Sequence, residues 1–165
     1  MRCLVWEFIC CLIRKRKREL RKKITDEFGE EEVNYLEENG AVLYDGMKET
    51  IASLCGAYKL YIVSNCQDGY VQAFLYAHHM ERYFEDIEMS GRTGLDKGEN
   101  IKLLMERNQI EHAVYVGDTQ GDEQAASDAG IPFIYAAYGF GEAVSPNAAV
   151  GSIKELPICL QQFYG

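Results

Sequence analysis

Four side chains in this sequence have the types and spacing for phosphoryl chemistry assisted by a cation. Asp118 and Asp122 stand four residues apart at the end of the run Val-Tyr-Val-Gly-Asp-Thr-Gln-Gly-Asp, residues 114–122. Two carboxylates at the end of a buried strand, with glycines that let backbone and ligand approach closely, suit a hard cation and its phosphate. Ser64-Asn65 follows the apolar run 59–63 and offers a hydroxyl and following backbone amides that can hold a phosphoryl oxygen. Lys97, after the segment 90–96, can neutralise negative charge on the same ligand. Each signal has a plainer reading: acidic caps at a helix N-terminus for Asp118 and Asp122, a strand-to-helix turn for Ser64-Asn65, a solvated cation for Lys97.

The elements that must carry these residues alternate. Strands are expected at 59–63, 84–89, 113–116 and 132–136. Helices are expected at about 47–56, 69–79, 98–108 and 121–129. Continuous apolar strands alternating with amphipathic helices predict an α/β, doubly wound, Rossmann-like parallel sheet covered on both faces. In such sheets ligands bind beyond the carboxyl ends of the strands, where Ser64, Lys97, Asp118 and Asp122 all fall.

The order of motifs is Ser-Asn after one strand, a Lys before a helix, then Gly-Asp-x-x-x-Asp running into Ala-Ala-x-x-Ala-Gly-Ile-Pro. It resembles the haloacid dehalogenase-like superfamily of phosphohydrolases, in particular its phosphoglycolate-phosphatase-type members. The likeness spans about residues 43–156, including Leu43-Tyr-Asp-Gly46 and Tyr138-Gly-Phe-Gly141. It implies Mg²⁺-dependent hydrolysis of a small phosphorylated metabolite through an aspartyl-phosphate. Carried over, Ser64 and Asn65 bind phosphate, and Lys97 binds phosphate and stabilises charge on the nucleophile and phosphoryl group. Asp118 is a Mg²⁺ ligand, and Asp122 supports the metal and its waters.

The family's Asp-x-Asp nucleophile strand is not recognisable here. In the family it lies centrally, between the strands corresponding to 59–63 and 113–116. Two alternatives follow. Residues 5–12 can be laid over it, with Glu7 at the nucleophile and Ile9 at the general acid; Glu is a methylene longer than Asp, and Ile9 cannot transfer a proton. Otherwise the chain is a truncated product that has lost this strand and most of its helical cap. Either way the chain is expected to be a catalytically impaired phosphatase, or a non-catalytic binding module. Unpaired central edges would offer a homodimer contact.

Periodicity at the N-terminus favours a different structure. Leu4, Val5, Phe8, Ile9, Leu12 and Ile13 recur at helical spacing and run into a block of helix formers at 14–23; a second helix is expected at 26–39, ending at Asn39-Gly40. The division expected is a helical N-terminal segment, a cap remnant, over 1–40 and a core over 41–165.

Composition limits the partners. Residues 1–23 carry nine Lys and Arg against two Glu, whereas the rest carries eight against twenty-four Asp and Glu, so the body repels nucleic acid. The basic block reads as the solvated face of a cap helix rather than a membrane anchor, because Glu7 interrupts its apolar face. The apolar run 3–13 is too short to span a bilayer. Six cysteines without a C-x-x-C pair or metal spacing indicate reduced thiols and a cytoplasmic protein. His78-His79 is expected to be solvated, and the tyrosines at 58, 61, 70, 76 and 83 to be packing residues.

Overall fold

The computed structural model of the 165-residue chain describes residues 2–7 and 29–164. Its elements are β1 (Cys3–Glu7), α1 (Gly29–Asn39), α2 (Met47–Leu54), β2 (Lys59–Ser64), α3 (Tyr70–His78), β3 (Phe84–Met89), α4 (Ser90–Thr93), α5 (Lys97–Arg107), β4 (Ala113–Gly117), α6 (Gln120–Ala129), β5 (Phe133–Ala136), β6 (Ala148–Val150) and α7 (Leu156–Tyr164). The strands form one sheet in the order β3-β2-β1-β4-β5-β6. Every neighbouring pair is parallel. With helices on both faces, this is the doubly wound α/β fold.

The central strand is β1. Cys3 pairs with Lys59 on one side and Ala113 on the other, and Trp6 pairs with Ile62 and Val116. The helix expected from residue 4 is therefore corrected over 3–7, and the core includes residues assigned above to the N-terminal segment. The reason is burial on two sides. Leu4 joins the cluster of Leu60, Ile62, Val114 and Val116 under α2, α3 and α7, whereas Cys3 and Val5 join Tyr61, Val63 and Tyr115 under α5 and α6. Alternate residues going to opposite faces is the strand period, not the helical one. The helical expectation for 8–28, including the basic block, lies outside the described residues. Both central edges are satisfied by β1, so the dimer contact expected there has no unpaired edge to use.

The second expected helix is present as α1, which packs on α3. It ends at Gly40, whose φ of 63° is left-handed. There Ala41 N–H donates to His78 Nε2 at 3.0 Å. His78 is thus half-buried at the junction, against the ring of Phe74, rather than solvated as expected. Tyr58 and Tyr61 are buried, as expected of packing residues, whereas Tyr76 is exposed. Among the described residues no helix is long and apolar enough to cross a membrane.

Candidate functional site

In the strand order 3-2-1-4-5-6 the direction of winding reverses between β1 and β4, and the crevice outside the carboxyl ends of those strands is where such sheets bind ligands. β4 delivers Asp118 there, fully buried. Phe140 N–H, from the loop between β5 and β6, donates to Asp118 Oδ2 at 2.6 Å. That loop can come so close because of glycine: a Cβ on Gly139 would lie 2.6 Å from Asp118 Cγ, and one on Gly141 would lie 2.7 Å from the Asp118 carbonyl oxygen.

Thr119 caps α6. Its Oγ1 accepts from Asp122 N–H at 3.1 Å and donates to Asp122 Oδ2 at 2.7 Å, and Oδ2 also accepts the backbone N–H groups of Thr119 (2.9 Å) and Asp118 (3.1 Å). The other oxygen, Oδ1, accepts from Lys97 Nζ at 2.5 Å. Asp122 is 1% exposed and Lys97 10%, so this is a buried ion pair. Lys97 begins α5 behind a capping box made by Asp96 and Glu99. Gly98 lets that helix sit against α6, since a Cβ there would meet Asp128 Cβ at 3.0 Å.

On the other side of β1, β2 ends in Ser64, which is fully buried; its Oγ accepts from Cys66 N–H at 3.3 Å. Asn65 Oδ1 accepts from Ser90 Oγ at 3.1 Å, and Gly91 N–H donates to the Cys66 carbonyl at 3.0 Å, so α4 braces the Ser64–Cys66 turn. Arg92 pairs with Asp68 at 3.0 Å and, together with the Gln72 amide, holds the Asp68 carboxyl below the usual carboxylate range. The backbone of Glu7 closes β1 opposite Val63, one residue before Ser64, and one residue beyond the Trp6–Val116 pair.

The sequence-derived residues thus divide. Lys97, Asp122 and Asp118 form one hydrogen-bonded series, and Ser64-Asn65 stands across β1 from it. Three contributors were not anticipated: Thr119, the Phe140 amide and α4. Gly139 and Gly141 were visible as a motif, but nothing in the sequence indicated which carboxylate they would approach.

This donor set fits Mg²⁺ in part. The ion takes oxygen ligands, keeps several waters, and is commonly held by one or two carboxylates plus a substrate phosphate. Asp118 is a carboxylate of that kind. Asp122, expected at the metal, has both oxygens filled by four protein donors, which suits it to fixing the Asp118 turn and Lys97. Among the described residues no group of three or more His, Cys, Asp or Glu is placed to hold a metal alone.

A sequence profile of the haloacid dehalogenase-like hydrolases matches residues 9–136. The match begins after β1, so the position of Glu7 rests on strand order and register. No curated protein sequence matches the chain significantly. Among solved structures, a haloacid dehalogenase-like hydrolase from Streptococcus pneumoniae is similar with a TM-score of 0.76 and 17% identity, over 96% of this chain and 98% of that one. A predicted phosphoglycolate phosphatase from Haemophilus somnus is similar with a TM-score of 0.76 and 17% identity, over 96% and 97%. The HAD-hydrolase YfnB from Bacillus subtilis, described as bound to magnesium, is similar with a TM-score of 0.78 and 17% identity, over 97% and 98%. At these identities the likeness is one of fold.

Proposed function

The chain belongs to the haloacid dehalogenase-like hydrolases, and from that membership we propose that it is a Mg²⁺-dependent phosphomonoesterase of restricted scope. The observation that carries the reading is the Lys97–Asp122–Asp118 series at the switch point, with Ser64 on the far side of β1. Ser64 Oγ and the amides after it hold phosphoryl oxygens, Lys97 offsets their charge, and Asp118 holds the cation. Bound there, Mg²⁺ would screen the phosphoryl charge. We assign Glu7, at the end of the central strand, to the family's nucleophile position. Its carboxylate would form the new bond to phosphorus as the ester oxygen leaves, and water would then release phosphate.

Two residues on, at the general acid's place, the sequence has Ile9. The departing oxygen receives no proton from that position, so turnover is confined to esters with acidic leaving groups. Small phosphorylated metabolites are the substrate class, and the acidic body disfavours nucleic acid. Six cysteines without a C-x-x-C pair or metal spacing support a cytoplasmic setting.

Rates should be measured on aryl phosphates of graded leaving-group pKa, with Mg²⁺ and with chelator. Mg²⁺-dependent turnover that falls steeply as leaving-group pKa rises, and is lost in Asp118→Asn and Glu7→Gln, supports the reading. Activity indifferent to Mg²⁺ or to Asp118→Asn overturns it. Phosphate binding without any turnover would make the chain a binding module.

A further inference from the structure

The segment 140–145 is attached to the Asp118 turn at two places by carboxylates that ride on one rigid unit. Phe140 N–H donates to Asp118 Oδ2, and further along Val144 N–H donates to Glu123 Oε2 at 2.8 Å and Ser145 N–H to Glu123 Oε1 at 2.6 Å. Glu123 follows Asp122 in the first turn of α6, and Asp122 binds that turn to Asp118 and Thr119. Asp118 and Glu123 therefore keep a fixed separation, and the loop is strapped between them.

The rest of the loop has its own ties: Gly139 N–H donates to the Ala136 carbonyl at 2.9 Å, and Tyr138 packs on the core against the ring of Tyr44. The side chains of Phe140 and Val144 are exposed. Ala143 packs on the core, and Tyr135 OH donates to the Gly141 carbonyl at 2.8 Å. The ends are tied to the sheet by Ala137 N–H on the Val150 carbonyl and Asn147 N–H on the Phe133 carbonyl.

We propose that Glu123 is a positioning residue for Asp118: by holding Val144 and Ser145 it keeps the Phe140 amide on Oδ2, and so sets the direction of the Asp118 carboxylate before a cation arrives. A ligand group aimed in advance loses no orientational freedom on binding. The inference rests on the reading above that Asp118 carries the cation. It adds a residue whose charge faces the loop rather than the crevice.

Amide hydrogen exchange by NMR, with Mg²⁺ titrations in the absence of substrate, tests it on the wild type, Glu123→Ala, Glu123→Gln and Asp118→Asn. In Glu123→Ala the Phe140 amide should exchange about tenfold faster, the loss of roughly one hydrogen bond's protection, with β2 and β4 amides unchanged. Mg²⁺ affinity should fall several-fold in the same variant. Glu123→Gln, which keeps one carbonyl acceptor, should lie between. Faster exchange at Val144 and Ser145 with Phe140 unchanged overturns the proposal, because Glu123 then caps its own neighbours only. Faster exchange at Phe140, with Mg²⁺ affinity lowered by Asp118→Asn but not by Glu123→Ala, overturns the link to the cation. If Asp118→Asn leaves Mg²⁺ affinity at the wild-type value, it is the metal reading that fails, while Phe140 exchange still decides whether Glu123 positions the strap.

Discussion

Removing the Asp122 carboxylate should be among the most damaging single changes available in this chain, for reasons that can be counted. Asp122→Ala takes the acceptor from three donors on the Asp118–Thr119 turn and removes from the buried Lys97 ammonium the carboxylate 2.5 Å away. Deleting one member of a buried pair costs about 3–5 kcal/mol, mostly the penalty of leaving the other charge poorly solvated. Against a total stability of about 5–15 kcal/mol for a domain, that is a large fraction. Asp122→Asn keeps the shape, but its NH₂ must face either the ammonium or the backbone N–H groups; about 2 kcal/mol is expected. Lys97→Met should cost about 1–3 kcal/mol, since Asp122 keeps its three other donors. The double variant Lys97→Met/Asp122→Asn should be more stable than the sum of the singles by about 1–2 kcal/mol. Urea unfolding followed through the fluorescence of Trp6, the sole tryptophan, reads the wild type and all four variants. A loss under about 1 kcal/mol in Asp122→Ala, or strict additivity in the cycle, would refute the buried-pair argument.

Two further outcomes follow from groups away from the crevice. Burial holds the His78 imidazole below its ordinary pKa of 6.5, with Lys48 and His79 adding to the effect, and Nε2 must stay unprotonated to accept Ala41 N–H. The unfolded chain therefore binds that proton more readily, so His78's contribution is complete above pH 6.5 and is lost as pH falls through the folded value. Wild type should lose more stability than His78→Gln between pH 7.5 and pH 5, and equal losses in a urea titration would rule this out. Glu88, 2% exposed in the edge strand β3, pairs with Arg107 at 2.6 Å and Arg92 at 3.6 Å. Glu88→Ala should cost about 2 kcal/mol, less than Asp122→Ala, because both arginines are partly exposed and rehydrate; a midpoint equal to wild type in the same urea experiment would contradict it.

The sequence shows β2, β4 and β5 because each is a continuous apolar run between turn residues, and it shows the site because motif order survives even where single residues are ambiguous. It misplaces β1 because five residues, four of them apolar, carry too little periodicity to separate strand from helix. Only the need to fill the slot between β2 and β4 pointed to a strand. Helix α4, strand β6 and helix α7 went unanticipated: α4 and β6 are too short to show a period, and the apolar stretch of α7 was not assigned an element. His78 was misjudged because its partner, the Ala41 amide, is brought to it only when α1 docks on α3. The role of Asp122 was half legible: acidic cap and metal-supporting carboxylate were read as rivals, and the structure makes it the partner of Thr119 in the capping box of the very turn that presents Asp118.

The position of β1 also bears on how the protein is made. The strand is synthesised before both of its partners, which begin at Lys59 and Ala113. The apolar faces of Leu4 and Val5 therefore wait through most of synthesis before both neighbours exist, and the sheet closes only when β4 has emerged. Such non-local pairing slows folding and leaves the nascent chain exposed to misassociation. Substitutions in β4 such as Val116→Asp should accordingly lower the yield of soluble protein out of proportion to their effect on the finished fold, because they prolong the interval in which the centre of the sheet stands open.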